Sequence, residues 1–268
     1  MFKEYYGLSK NPFDKRFLSE KDAFPSKDHK EMTSRLSYLN NIRGIGCFTS
    51  APGFGKTYAL RCFAKSLDRN LNEIAYLCLS TVTPMEFYRQ FCAALGIDAP
   101  HGKPAMFRAI QDRLYHLLKE KRKPFLLVFD EAHELSDSIL KDIKMIMNHE
   151  YDSVNCFTLA LVGEPHLTHI LEKPIHEALR QRIAIHYSFS GLSDAEIEQY
   201  LLHKLRTAGA ADSILGNGTL PAIIGYARGC PRLLDNLMNE ALMLGAQLQK
   251  PYLDTEIIMA ATNNLALS

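Results

Sequence analysis

The amino-acid sequence predicts an α/β protein: a doubly wound parallel sheet of five strands built around a Gly-rich loop, followed by a small helical domain. Three observations carry that expectation. The stretch Cys47-Phe48-Thr49-Ser50-Ala51-Pro52-Gly53-Phe54-Gly55-Lys56-Thr57 passes from apolar residues through a Gly-rich loop to a Gly-Lys-Thr step. The run Pro124-Phe125-Leu126-Leu127-Val128-Phe129 is almost continuously apolar, as a central strand buried on both faces must be, and ends in the adjacent acids Asp130 and Glu131. From about Ser193 onward strand-like runs cease and apolar residues recur at helical spacing. The expected organisation is an arm over 1–26, an α/β nucleotide-binding domain over 27–190 and a helical lid domain over 191–268.

In chain order, residues 1–26 lack periodicity and carry aromatic and turn residues, as in Tyr5-Tyr6-Gly7-Leu8 and Asn11-Pro12-Phe13, so they read as an irregular arm. Met32, Leu36 and Leu39 make one apolar face of a helix over 27–41, with Ser26 as its N-cap. A buried strand over 42–49 leads into the Gly-rich loop, and Leu60, Phe63, Ala64 and Leu67 continue it as a helix. Residues 73–80 form a second strand, 84–95 a helix ended by Gly96, and 105–121 a helix with Ile110, Leu114, Leu117 and Leu118 on one side. After the strand ending at Asp130, Ile139, Leu140, Ile143 and Met147 mark an amphipathic helix. A strand over 155–162 ends at Gly163-Glu164-Pro165; Pro174 opens a short helix carrying Arg180 and Arg182, and a fifth strand covers 183–189. Ser193-Asp194-Ala195-Glu196 is a capping box that starts the helical series over 195–208, 219–226, 232–247 and 254–264. Strands joined by helical crossovers place a ligand at the strand C-termini.

Composition bounds the partners. The 268 residues include 31 basic and 30 acidic side chains, a net charge of +1, so any nucleic-acid surface must be local or built by assembly. None of the six cysteines has a zinc spacing or a Cys-x-x-Cys partner. Neither a secretory leader nor an uninterrupted membrane-length apolar run is apparent, which points to the cytoplasm without a membrane partner.

The chemistry follows from the two motifs. In a Gly-rich loop that opens a helix, successive backbone N–H groups and the positive helix end surround a polyphosphate. Here that cradle is Ser50, Ala51, Pro52, Gly53, Phe54 and Gly55, with Lys56 reaching the outer phosphates, Thr57 ligating Mg²⁺ and Tyr58 beside them. Ser50 occupies a position where the template has Gly. An Asp ending the buried strand holds the metal side, and a following Glu activates water, so Asp130 and Glu131 take those roles. Glu164 either orients the attacking water or is a turn residue. His133 makes the acid pair read Asp-Glu-Ala-His, but a helicase requires a second α/β lobe, so His133 is expected only to start a helix.

Taken together, Ser50–Thr57, Asp130-Glu131, Gly163-Glu164-Pro165, Arg182 and Gly229-Cys230-Pro231-Arg232 resemble an AAA+ ATPase core with its helical lid. More narrowly, Tyr5–Leu8, Asn11-Pro12-Phe13, Leu161–Pro165, Gln181-Arg182-Ile183 and the Gly-x-Pro-Arg step resemble the ExeA-like group, which includes TnsC-like and Mu B-like transposition regulators. The resemblance implies ATP and Mg²⁺ as cofactors, Arg232 as a lid arginine sensing the outer phosphate, and Arg182, or Arg180 in its place, inserted into a neighbouring subunit's site. It also puts Pro12, Phe13 and Phe24 near adenine. Implied partners are further copies in a ring or helical filament, duplex DNA, a transposase that stimulates hydrolysis and a targeting protein. DNA contacts in that group resemble loops placed here at Thr81-Val82-Thr83 and His101-Gly102-Lys103, with Thr81, Thr83, Arg89 and Lys103 as phosphate contacts. Two other readings stand beside it: an ExeA-type secretion ATPase, expected to need a membrane helix and an envelope-binding domain not found up to Ser268, and a nucleotide-switched scaffold with little turnover.

Overall fold

A computed structural model describes residues 2–14, 23–78, 83–149, 154–211 and 214–266. The chain divides into two compact units. One comprises Glu31–Pro52 and Lys56–Phe189, and the other Met1–Lys30, Gly53–Gly55 and Ser190–Ser268.

Five strands build the first unit: β1 (Ile45–Thr49), β2 (Glu73–Cys78), β3 (Phe125–Asp130), β6 (Thr158–Gly163) and β7 (Ile183–Ser188). Their order is β2-β3-β6-β1-β7, every neighbouring pair being parallel. All residues of β1, β3 and β6 are buried, which is why their sequences are unbroken apolar runs rather than alternating ones. Between β3 and β6 lies a small antiparallel hairpin, β4 (Asn148–His149) and β5 (Val154–Asn155). The crossovers are α3 (Lys56–Ser66), α4 (Pro84–Ala94), α5 (Lys103–Lys119), α6 (Asp137–Met147), α7 (His166–Glu172) and α8 (Glu177–Arg180); α2 (Lys27–Ile42) precedes β1, and α1 (Phe2–Tyr5) lies at the start of the chain. Phe87, Phe91, Phe129 and Phe157 meet in the core, with ring centroids 5.8–6.2 Å apart along the chain of contacts.

The five expected strands are present, and the boundary shifts have local causes. β1 starts at Ile45 rather than 42 because α2 runs on to Ile42 and ends through Arg43 in the left-handed region (φ 53), with Gly44 N–H bonded back to Leu39 O at 3.2 Å. The expected end of β2, beyond Cys78, lies outside the described residues. Helix α7 is not expected from the sequence. Its buried Leu167, Ile170 and Leu171 are helically spaced, but over only 7 residues, too few turns for periodicity to stand out.

The second unit packs α9 (Asp194–Thr207), α10 (Leu220–Ala227), α11 (Pro231–Gln247) and α12 (Thr255–Ala266) around Ile197, Leu201, Leu234, Met238 and Ile258. The capping box is formed as expected: Ser193 Oγ accepts from Glu196 N–H (3.3 Å) and Glu196 accepts from Ser193 N–H (3.0 Å). The arm belongs to this unit. Tyr6 donates its hydroxyl to Lys250 O at 3.0 Å, and burial followed by the neighbouring Tyr5 pushes its pKa up to about 12.

Candidate nucleotide site

The carboxyl ends of β1, β3 and β6 carry the expected nucleotide residues. Lys56 is the first residue of α3 and is buried. Its Nζ donates to Ser50 O (2.8 Å), Ser50 Oγ (2.9 Å) and Ala51 O (3.3 Å), acceptors that offset the cost of an ammonium out of water. The loop turns at Gly53 (φ 89) and Gly55 (φ 93), conformations that an L side chain rarely adopts. Ser50 is not left-handed, so a side chain fits there without strain; its hydroxyl donates to Ala51 O at 2.8 Å and accepts from Lys56. That explains why Ser replaces the template's Gly. Tyr58 is half-buried on α3, and Ala51 and Pro52 are exposed.

Asp130 ends β3 almost fully buried. Its Oδ2 accepts from Thr57 Oγ1 at 2.8 Å and from the Tyr76 hydroxyl on β2, and its Oδ1 accepts from Glu131 N–H at 3.1 Å. A hydroxyl and a carboxylate held 2.8 Å apart beside a buried lysine fit Mg²⁺ with a phosphate group: both oxygens are ordinary Mg²⁺ ligands and Lys56 supplies the countercharge. Tyr76 is a residue that sequence reasoning missed. Its only signal was register, since it pairs with Val128 two positions before Asp130 and so shares a side of the sheet with it.

Glu131 takes the left-handed conformation (φ 54, ψ 40) ahead of a 3₁₀ turn over Ala132–Glu134. Strain of that kind in a non-Gly residue concentrates at functional sites. Its carboxylate, about half exposed at 47%, stands 3.5 Å from His133 Nδ1. Glu164 follows β6, and its N–H donates to the same His133 Nδ1 at 3.3 Å. Glu131, Glu164 and His133 are thereby gathered into one cluster, although the sequence expects no part for His133.

The arginines lie elsewhere on the sheet. Arg180 is exposed at the end of α8, and Arg182 is half-buried immediately before β7. β7 lies parallel to β1 with Ile183 beside Ile45 and Ser188 beside Thr49, so Arg182 is at the amino edge and the phosphate loop at the carboxyl edge. At ~3.3 Å per residue the two edges are about 16 Å apart, more than an arginine side chain spans. Upstream, His176 Nε2 bonds Asp137 Oδ1 at 2.8 Å and Lys173 Nζ reaches the same carboxylate at 3.3 Å, pinning the segment before Arg180 to α6. The His176 hydrogen bond, opposed by desolvation and helped by Lys173, holds the Asp137 carboxyl below its usual range.

In the helical unit, Arg232 is exposed in the first turn of α11 and its N–H donates to Gly53 O at 3.3 Å. A Cβ on Gly53 would meet Arg232 Cβ and Cys230 Sγ, both at 2.9 Å. Phe13, expected near adenine, is instead a core residue of this unit at 1% exposure, and Pro12 is buried beside it in sequence. Phe24 packs edge-on to Tyr200 with ring centroids 5.6 Å apart.

Of the expected DNA contacts, Thr81 lies outside the described residues. Thr83 caps α4, its hydroxyl accepting from Glu86 N–H at 3.3 Å and donating to Glu86 Oε2 at 2.8 Å. Lys103 pairs with Asp142 at 2.6 Å and lies over the Tyr88 ring, whereas Arg89 is exposed. Among the described residues, no helix is long and apolar enough to cross a membrane.

Residues 40–171 match the family model described as "AAA domain". The fold is that of an AAA+ P-loop ATPase. The chain is similar to general secretion pathway protein A of Aeromonas hydrophila, 29% identical over 246 residues; the match covers 91% of this chain, which spans 44% of that relative's length. Among solved structures, the AAA+ fold is shared with the ORC2 protein of Aeropyrum pernix in ADPNP-ADP complexes (TM-score 0.68, 16% identity, 96% of this chain and 72% of that one). It is shared also with Drosophila ORC bound to DNA (TM-score 0.72, 13% identity, 100% of this chain and 66% of that one).

Proposed function

We propose that this AAA+ chain is a Mg²⁺-dependent ATPase of the cytoplasm that assembles head to tail with its own copies on duplex DNA and selects targets for transposition. The observation that carries assembly is the separation of the two sheet edges: Arg182, just before β7, stands at the amino edge, about 16 Å at ~3.3 Å per residue from the edge that carries the loop. An arginine at that distance serves a phosphate site only when another copy supplies it.

Within one subunit, Gly53 and Gly55 allow the loop backbone to close on a polyphosphate, and Lys56 turns its ammonium from loop carbonyls toward the outer phosphates. Thr57 and Asp130 hold the metal, and Glu131 takes a proton from water. Mg²⁺·ATP supplies, when bound, the phosphoanhydride to be cleaved. Arg182, or Arg180 in its place, then offers a planar guanidinium to the developing charge in the adjoining subunit. Arg232 senses the outer phosphate from the lid. The fit of Thr57 to Asp130 at 2.8 Å supports the metal role.

The transposition role rests on the motif resemblance to TnsC-like regulators, with a transposase and a targeting protein as partners and Arg89 as the exposed cation for DNA phosphate. A second reading, assembly work at the cell envelope, is favoured by the 29% identity to general secretion pathway protein A. Fluorescence anisotropy with labelled duplexes of unrelated sequence, run with a non-hydrolysable ATP analogue, ADP or no nucleotide, separates them. Sequence-indifferent, salt-sensitive binding that requires the ATP analogue is the expected result. Absence of duplex binding at every salt concentration leaves the envelope reading.

A further inference from the structure

His133 has three contacts that the proposed roles of Glu131 and Glu164 do not use. Its Nδ1 accepts the Glu164 N–H at 3.3 Å, its Nε2 is 3.4 Å from Glu134 Oε1, and its Nδ1 is 3.5 Å from Glu131 Oε2. A ring nitrogen that accepts an N–H carries no proton. The ring therefore turns its other nitrogen, Nε2, toward Glu134. Such a ring offers Glu131 no donor, which leaves both oxygens of that carboxylate able to take a proton from water.

The contact with β6 is also steric. A Cβ on Gly163 would stand 3.1 Å from His133 Nδ1 and 3.3 Å from His133 N, so the imidazole and its backbone lie directly against the last residue of that strand. With 13% of its side chain exposed, His133 has little freedom to leave. Glu131, two residues earlier, holds a left-handed conformation that its own side chain does not favour. Locally it is held by Glu131 N–H on Asp130 Oδ1 (3.1 Å) and by Glu134 N–H on Glu131 O (2.9 Å), and the Glu164–His133 bond ties this turn to a neighbouring strand.

We infer that His133 is a positioning residue that fastens the Glu131 turn to the carboxyl end of β6, so that any shift of the Glu164 backbone moves the water-activating carboxylate. The inference rests on the proposed hydrolytic role of Glu131. It predicts a dependence on one ring nitrogen. In His133→Asn, Oδ1 replaces Nδ1 and still accepts the Glu164 N–H. In His133→Gln, the amide replaces the Nε2 side and that acceptor is lost.

Variants of the chain are compared by steady-state ATPase rates and by amide hydrogen exchange of nucleotide-free protein. His133→Ala and His133→Gln should lower kcat about tenfold with KM changed less than about twofold, the pattern of a lost transition-state arrangement. Both should speed exchange of the Glu164 amide about tenfold, a local opening, while His133→Asn stays within about threefold of wild type in both measurements. Unchanged kcat and exchange in His133→Ala, or rescue by Gln and not Asn, overturns the inference. If His133→Ala fails to fold, the Asn and Gln pair decides. Wild-type protein without ATPase activity would remove the proposed function and this inference together. Activity that Lys56→Ala abolishes, with every His133 variant equal to wild type, removes only the inference.

Discussion

The two edges of one parallel sheet are built to different rules. At the carboxyl edge Lys56 and Asp130 are buried and bonded inward: Lys56 to its own loop, Asp130 to Thr57 and Tyr76. At the amino edge, Arg180 is exposed, and the structure holds the segment before it through His176, Asp137 and Lys173. An edge that satisfies itself is ready for a small ligand. An arginine at the amino edge is too far along the strand to serve the loop of its own sheet, and the difference is what the proposed assembly rests on: one edge that would hold the nucleotide and another whose Arg182 would serve a neighbouring copy.

The largest expected effects fall on the carboxyl edge. Lys56→Ala should weaken binding of a fluorescent ATP analogue by roughly 100-fold or more, since it deletes a buried charge-assisted contact to phosphate. Glu131→Gln should leave that affinity within a few-fold and lower kcat by about 10²–10⁴, the range of a lost general base. Retained binding in Lys56→Ala would end the assignment of this edge.

The amino edge comes next. Arg182→Ala should lose about 10³-fold in turnover while nucleotide affinity is kept, and Arg180→Ala should lose little. The decisive experiment mixes two inactive proteins, Arg182→Ala and Lys56→Ala. Copies of the second carry an intact arginine and copies of the first an intact loop, so the mixture should regain activity that neither has alone. No recovery at any ratio would mean that the edges do not meet between subunits.

A smaller effect tests how the carboxyl edge is held. Tyr76→Phe removes one of the hydroxyls bonded to Asp130 Oδ2 and leaves Thr57 in place. A hydrogen bond to a charged carboxylate is worth about 1.5 kcal/mol or more, so the Mg²⁺ concentration for half-maximal rate should rise about tenfold. An unchanged Mg²⁺ dependence would assign Tyr76 to packing of the edge strand.

These differences follow what was legible in the sequence. The sheet could be read because buried parallel strands must be apolar throughout, and the phosphate loop because Gly53, Gly55, Lys56 and Thr57 each answer to a separate requirement of phosphate binding. Helix α7 escaped notice because two turns carry too little periodicity, and Tyr76 because a tyrosine in a strand looks like ordinary packing. His133 carries no local signal for a related reason. Its importance lies in a bond to Glu164, 31 positions away, and no local pattern records a long-range contact. Phe13 shows the converse: a motif resemblance placed it near adenine, whereas its ring fills the helical unit's core.

The smallest effect concerns the segment before Arg180. Asp137 accepts from His176 Nε2, and His176 is buried with its other nitrogen, Nδ1, without a hydrogen-bond partner among the described residues. Asp137→Ala leaves both nitrogens unpaired, at a cost of about 1–2 kcal/mol for a buried polar group. The pH dependence has a definite sign. The Asp137 carboxyl is held below its usual value of 3.8, chiefly by the His176 bond, so its ionised form is favoured in the folded state. Its contribution is therefore complete above that value and is lost as pH falls through the lower folded one. Thermal unfolding of wild type and Asp137→Ala should differ by a few degrees at pH 7, and the gap should narrow only below about pH 4. A gap that stayed constant down to pH 2 would show that the side chain's volume, not its charge, ties this segment to α6. The amino edge would then be held by packing, as the sheet's interior is.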